Sequence, residues 1–126
     1  MQDMMPQLGA GAQLVRSYGP EGLRIGQDSH AGHVLVLPTQ TMAWNGELTI
    51  EAMAPLLKAD PATEIIIIGT GKRHEMIAPE LKRVLKEHGV GIDTMDTGAA
   101  CRTFNVLLGE GRRVAAALLF QPSDLP

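Results

Sequence analysis

The stretch "TEIIIIGTG", residues 63–71, decides how the rest of the chain is read. Four consecutive isoleucines leave no polar side for water, and β-branched side chains favour extended backbone. Pro61 before the run and Gly69 after it bound a short segment. That pattern predicts a strand buried on both faces, as in the middle of a parallel sheet. Downstream, "APELKRVLKEHG" (78–89) predicts a helix. Pro79 suits its first turn, Glu80 favours the positive end, Leu81, Val84 and Leu85 form one apolar stripe, and Gly89 stops it. "VGIDTM" (90–95) predicts another short strand. "TGAACRTFNVLLGEG" (97–111) predicts a third helix, capped by Asp96 or Thr97, and "RRVAAALLF" (112–120) a last buried strand. Strand, helix, strand, helix, strand with short joints predicts a largely parallel sheet with helices packed on it.

Upstream the pattern is less regular. "EGLRI" (21–25) and "HVLVLP" (33–38) flank "GQDSHAG" and predict an N-terminal β-hairpin, which would make the sheet mixed. "TMAW" (41–44) extends the second of these strands past Pro38, which marks an edge, bend or break. "NGELTIEAMAPLLKADP" (45–61) changes to a helical period, with Thr49 as cap and Pro55 placed to bend or split the helix. Residues 1–15, "MQDMMPQLGAGAQLV", have no clear period and are read as a loosely held arm, with residues 16–126 as one domain. The fold class is α/β: a mixed, mostly parallel central sheet, helices on it, and an N-terminal hairpin.

Composition narrows the function classes. The 126 residues suffice for one domain, and 44% are hydrophobic. Only Tyr18, Trp44, Phe104 and Phe120 are aromatic, so the core must be aliphatic. Net charge is −3, and neither half of the chain is basic. With no basic face and few aromatic platforms, nucleic acid is not an expected partner. A single cysteine cannot form an internal disulfide, the first residues lack a signal-peptide pattern, and no apolar run approaches the roughly 20 residues of a membrane helix. A cytoplasmic protein without membrane insertion is the expectation.

Taken together, "IIIIGTG", "GIDTMDTGAACRTFNVLLGEGRRVAAAL" and the earlier "LVLP…W" resemble a family of small α/β domains, the Mth-type domain. The run "TGAACRTFNVLLGEGR" is the specific part, and the match covers roughly residues 20 to 120. The family includes many bacterial proteins, a mitochondrial respiratory complex I assembly factor and an adipogenesis-associated protein of animals. The resemblance implies a compact domain with a mixed sheet that acts through protein partners. It supplies no reaction, cofactor or catalytic residue.

Several clusters carry chemistry of their own. Cys101 lies about one turn into the third helix, beside Arg102, where helix-end charge and a guanidinium both favour thiolate. It has no adjacent histidine, and the simpler reading is a small buried hydrophobe. Arg102 and Asn105 interrupt an apolar helix three residues apart, either as a polar cleft wall or as structural ties. Gly69, Thr70 and Gly71 leave the carboxyl end of the buried strand, the edge at which open α/β sheets bind ligands. There backbone amides, with Lys72 or Arg73, would suit a small anion. The Gly-x4-Gly-Lys spacing of a phosphate loop is absent. Asp28, His30 and His33 have metal-like spacing, but they lie in an expected turn and fall short of a closed ligand set, so no metal is expected. Two readings follow. One is a non-catalytic interaction or assembly domain with a cleft of Gly69, Thr70, Gly71, Thr97, Cys101, Arg102 and Asn105. The alternative is a small-molecule or anion-binding enzyme using Cys101, Arg102 and Asn105.

Overall fold

A computed structural model of the chain describes residues 11–19 and 22–120. Residues 1–10 of the expected arm, Glu21 of the expected hairpin and residues 121–126 lie outside them. Five strands form the central sheet: β4 (Val34–Leu37), β5 (Gln40–Ala43), β6 (Ile65–Gly69), β7 (Gly91–Met95) and β8 (Val114–Leu118), in the spatial order β5-β4-β8-β6-β7. β6 pairs in parallel with both β7 and β8, while β4 runs antiparallel to both β8 and β5. Four strands therefore point one way and β4 the other.

The isoleucine run sits where its composition requires. Ile66, Ile67 and Ile68 are fully buried, and successive residues face opposite layers. Ile66 and Ile68 pack with Met53 and Leu56 of α1 (Ile50–Leu57) and Leu81 and Leu85 of α2 (Pro79–Glu87). Ile67 packs on the other face with Cys101, Phe104 and Leu108 of α3 (Thr97–Gly109). β8 is buried throughout, and its Ala115, Ala116 and Ala117 let helices approach both sides of the sheet closely. The helix ends follow the sequence. Thr49 accepts from the Ala52 N–H, Asp96 accepts from the Ala99 N–H, and Pro79 opens α2. Pro55 lies inside α1, which continues through it to Leu57.

The amino-terminal half departs from the sequence reading in three ways. First, the hairpin is not formed by 21–25 with 33–38. β2 (Gly22–Ile25) turns at Gly26 and Gln27 into β3 (Asp28–His30), so "DSH" is strand rather than turn. Second, this hairpin does not enter the central sheet. With β1 (Val15–Gly19) it makes a separate three-stranded sheet, order β1-β2-β3, whose Val15, Leu23 and Ile25 pack on the α3 side. The central sheet is mixed because of β4 and β5. Third, Pro38 ends β4, and the chain turns there into β5 rather than extending it.

The described end of the expected arm is held. Gln13 N–H donates to the Pro38 carbonyl (3.0 Å), Gly26 N–H donates to the Leu14 carbonyl (2.9 Å), and Val15 already belongs to β1. Because β6 and β8 are the most enclosed strands, amide hydrogen exchange is expected to be slowest across Ile66–Ile68 and Ala115–Ala117. Faster exchange there than in β1–β3 would contradict this layering.

Candidate functional site

The carboxyl ends of β6 and β8 and the start of α3 meet at one residue. Thr97 is buried, and its hydroxyl accepts from the Gly71 N–H (2.8 Å) and donates to the Leu119 carbonyl (2.6 Å). Its own N–H donates to the Gly71 carbonyl (2.8 Å). Gly69 is required by this approach. A Cβ built there would lie 2.9 Å from Thr97 Oγ1, 3.0 Å from Thr97 Cα and 3.0 Å from Ala100 Cβ. Gly71 takes a left-handed φ of 99°, which side chains resist. The two segments thus touch directly at Gly69, Gly71 and Thr97.

The amides of Thr70, Gly71 and Glu75 are committed within the chain. Thr70 N–H donates to Met95 O (2.9 Å). The Thr70 hydroxyl donates to Arg73 O (2.6 Å) and accepts from Glu75 N–H (3.0 Å), closing the loop on itself. Asp96 caps α3, so a carboxylate of the chain already occupies the positive helix end. An added anion would compete with it.

The remaining predicted residues separate. Cys101 is buried in the α3-side core. Removal from water pushes its thiol up to about 12, outweighing the nearby Arg102 that favours thiolate. His74 does not serve it: His74 Nε2 lies 3.0 Å from Thr94 Oγ1 at the exposed β7 side. Asn105 is not beside Arg102's task. Its side-chain carbonyl accepts from the Val15 N–H (2.9 Å) and its amide donates to the Val15 carbonyl (2.8 Å), clipping β1 to α3. Arg102 is exposed, with Nη1 3.6 Å from a Cβ built on Gly98.

Beside the Thr97 joint lies a depression of about 230 Å³, lined by Tyr18, Gly71, Lys72, Asp96, Thr97, Gly98 and Phe120. Tyr18 is 43% exposed and meets Phe120 edge to face, ring centroids 6.3 Å apart. Its hydroxyl lies 2.9 Å from a Cβ built on Gly98, so that glycine makes room for it. Sequence reasoning did not single out Tyr18 or Phe120 for this place; their only signal was membership in a set of four aromatics. The suspected metal residues lie elsewhere. Asp28 and His30 are in β3, while His33 Nδ1 accepts from the Phe120 N–H (2.9 Å) and its ring meets Trp44 edge to face. Among the described residues no group of three or more His, Cys, Asp or Glu could hold a metal ion.

A family described as "protein of unknown function (DUF498/DUF598)" matches residues 15–119. The chain belongs to this family. It is 33% identical over 124 residues to the NADH dehydrogenase (ubiquinone) 1 alpha subcomplex assembly factor 3 of Danio rerio, covering 95% of this chain and 71% of that protein. The human protein of the same name is 31% identical, with 90% and 64% covered. Among solved structures, a Bordetella pertussis protein described as an Mth938-like domain has a TM-score of 0.76 at 27% identity, covering 94% of this chain and 90% of that one. A Bartonella henselae protein described as an outer membrane protein has a TM-score of 0.79 at 35% identity, covering 89% and 98%. The Mth-type resemblance and the mixed α/β fold it implied are thereby established.

Two outcomes test this geometry. Gly69→Ala is expected to lower stability by about 1–3 kcal/mol through overpacking against backbone and a short side chain. Gly32→Ala, with open space around it, should hardly change stability. Equal melting temperatures for the two variants would refute the close approach. The raised Cys101 value predicts roughly a thousandth of a free cysteine's thiolate at the same pH. Iodoacetamide at mildly alkaline pH should therefore modify the folded chain far more slowly than the denatured chain. The sign for stability follows: the unfolded thiol ionises first, so this contribution is full below pH 9.0 and is lost as pH rises toward about 12.

Proposed function

We propose that the chain is a non-catalytic protein-interaction domain of the assembly-factor type, whose partner contacts the surface at the carboxyl ends of β6 and β8. The observation that carries this is Tyr18: an exposed aromatic seated on Phe120, beside the guanidinium of Arg102, which has no ion pair among the described residues, and the ammonium of Lys72. Tyrosine and arginine around a small concavity are the residue types that concentrate binding energy in protein interfaces. The animal relatives are named as assembly factors of NADH dehydrogenase, which supports a role exercised through other protein chains. In this reading Gly69, Gly71 and Thr97 hold the surface in shape, Cys101 and Asn105 support α3 from behind, and Arg102 meets the partner.

For a small anion at the same surface, the Gly71 N–H is spent within the chain and the Asp96 carboxylate stands at the helix end. A protein carboxylate reaching Lys72 and Arg102 fits better than a free anion held by backbone. The reading requires no cofactor or nucleic acid, and places the work in the cytoplasm. Among the described residues no helix is long and apolar enough to cross a membrane. An enzyme built on Cys101 finds no support in a buried thiol that keeps its proton.

Arg102→Ala separates a binding role from a structural one. An exposed side chain without buried partners should change stability by no more than about 0.5 kcal/mol. Proteins captured by the wild-type chain from native lysate should be lost from Arg102→Ala and from Lys72→Glu at unchanged melting temperature. Intact capture by both variants, or a large drop in melting temperature, would defeat the proposal.

A further inference from the structure

A cavity among the described residues lies at the opposite end of the sheet from Thr97. It has a volume of about 560 Å³, within the roughly 300–1,000 Å³ of small-molecule pockets. Three distant segments build it: the β4–β5 turn, the end of α1 with the loop into β6, and the end of α3 with the turn into β8. No local motif marks such a place.

Its chemistry has two parts. Leu37, Met42, Pro55 and Leu108 supply apolar wall. Leu37 and Met42 belong to the margin of the α1/α2-side core, and Leu108 belongs to the α3-side core. The cavity therefore opens past the sheet end, where both cores can be reached. The second part is a cationic rim of Lys58, Arg112 and Arg113, with Asp60 as the acid among the lining residues. This is a local positive surplus on a chain of net charge −3.

The rim is partly committed. Arg112 Nε donates to Glu64 Oε1 (3.1 Å), and this carboxylate, which also attracts Arg113, offsets one of the rim's charges. Arg113 Nε donates to the Ala62 carbonyl (2.8 Å). That bond holds the guanidinium in place and leaves its two terminal nitrogens without a partner among the described residues. Lys58 has no ion pair among them. With Asp60 set against one of these two cations, a single positive charge remains. A phosphate or nucleotide would lack countercharge, and the apolar walls would give its polar body nothing.

We propose that this cavity binds a small monocarboxylate with an apolar body, of the medium-chain acyl type. The carboxylate sits on the forked terminal nitrogens of Arg113 with Lys58 nearby, and the chain lies along Leu37, Met42, Pro55 and Leu108. The planar fork of arginine matches a carboxylate in a way a point charge does not. The site is independent of the partner surface around Tyr18 and stands or falls separately.

The test uses the full chain, isotopically labelled, and follows backbone amide shifts during titration. Octanoate is the probe, with 1-octanol and octyltrimethylammonium as comparators of similar apolar length. Saturable octanoate shifts are expected at residues 37–42, 58–63 and 108–113, with Gly71, Thr97 and Gly98 unmoved. Octanol should bind roughly tenfold more weakly, the loss of one charge-assisted contact, and the ammonium weaker still. Arg113→Gln should weaken octanoate by about tenfold and leave octanol unchanged. Lys58→Gln gives a second reading should the first variant disturb the fold, which the same spectra report. Equal binding of octanoate and octanol, shifts centred on Tyr18 and Thr97, or no saturable shift with octanoate would each overturn the proposal.

Discussion

One buried hydroxyl holds the carboxyl end of the central sheet together. Thr97 Oγ1 receives the Gly71 N–H and gives its proton to the Leu119 carbonyl, so the exits of β6 and β8 and the entry of α3 are fixed to one another by two short bonds. Every neighbour has adapted to it. Gly69 lacks a side chain because Thr97 and Ala100 stand where a Cβ would be. Gly71 turns left-handed to aim its N–H inward. Asp96, one residue before, then caps α3 and closes its positive end. What stays on the outside is a shallow surface with Tyr18, Lys72 and Arg102. If a partner docks there as proposed, loops already tied down by these bonds leave less ordering cost at the moment of contact.

Cys101 shows how two familiar arguments about a thiol compete. Position early in a helix and an adjacent arginine both favour the ionised form. Burial against Ile67 and Phe104 disfavours it, and burial is the larger effect. The reason is distance from water rather than from charge: Arg102 is exposed to solvent, where its field is screened, while the sulfur of the neighbouring Cys101 is turned into the core.

Much of the central sheet could be read from local pattern. Ile65–Ile68, the Pro79 and Gly89 bounds of α2, and the Asp96 start of α3 each carry their own signal within a few residues. The amino-terminal half could not be read in that way. Whether "HVLVLP" pairs with the strand before it or with one some eighty residues later depends on tertiary contact, and Val36 finds Ala116. The short "DSH" strand looks like turn because its residues usually are. At the site, Gly69, Gly71 and Thr97 were legible because glycine at a strand exit has a physical meaning. Asn105 was polar on an apolar helix, but its partner Val15 is ninety positions away. Tyr18 and Phe120 are brought together only by the fold, and nothing local announces the pair.

The position of β8 has a consequence for how the chain assembles. It is the third strand of five across the sheet, yet the last of them in sequence. The β6–α2–β7 unit can close on itself as soon as it is made, because its contacts are local. β4 and β5 can form only a hairpin, with no sheet to join, until β8 arrives between them and β6. During synthesis the two halves must therefore wait beside each other, their apolar faces open, for the final insertion of an alanine-rich strand narrow enough to slide between layers. High contact order of this kind slows folding and lengthens exposure to wrong partners. A chain halted before Val114 would leave a free hairpin and a βαβ unit with nothing to join them.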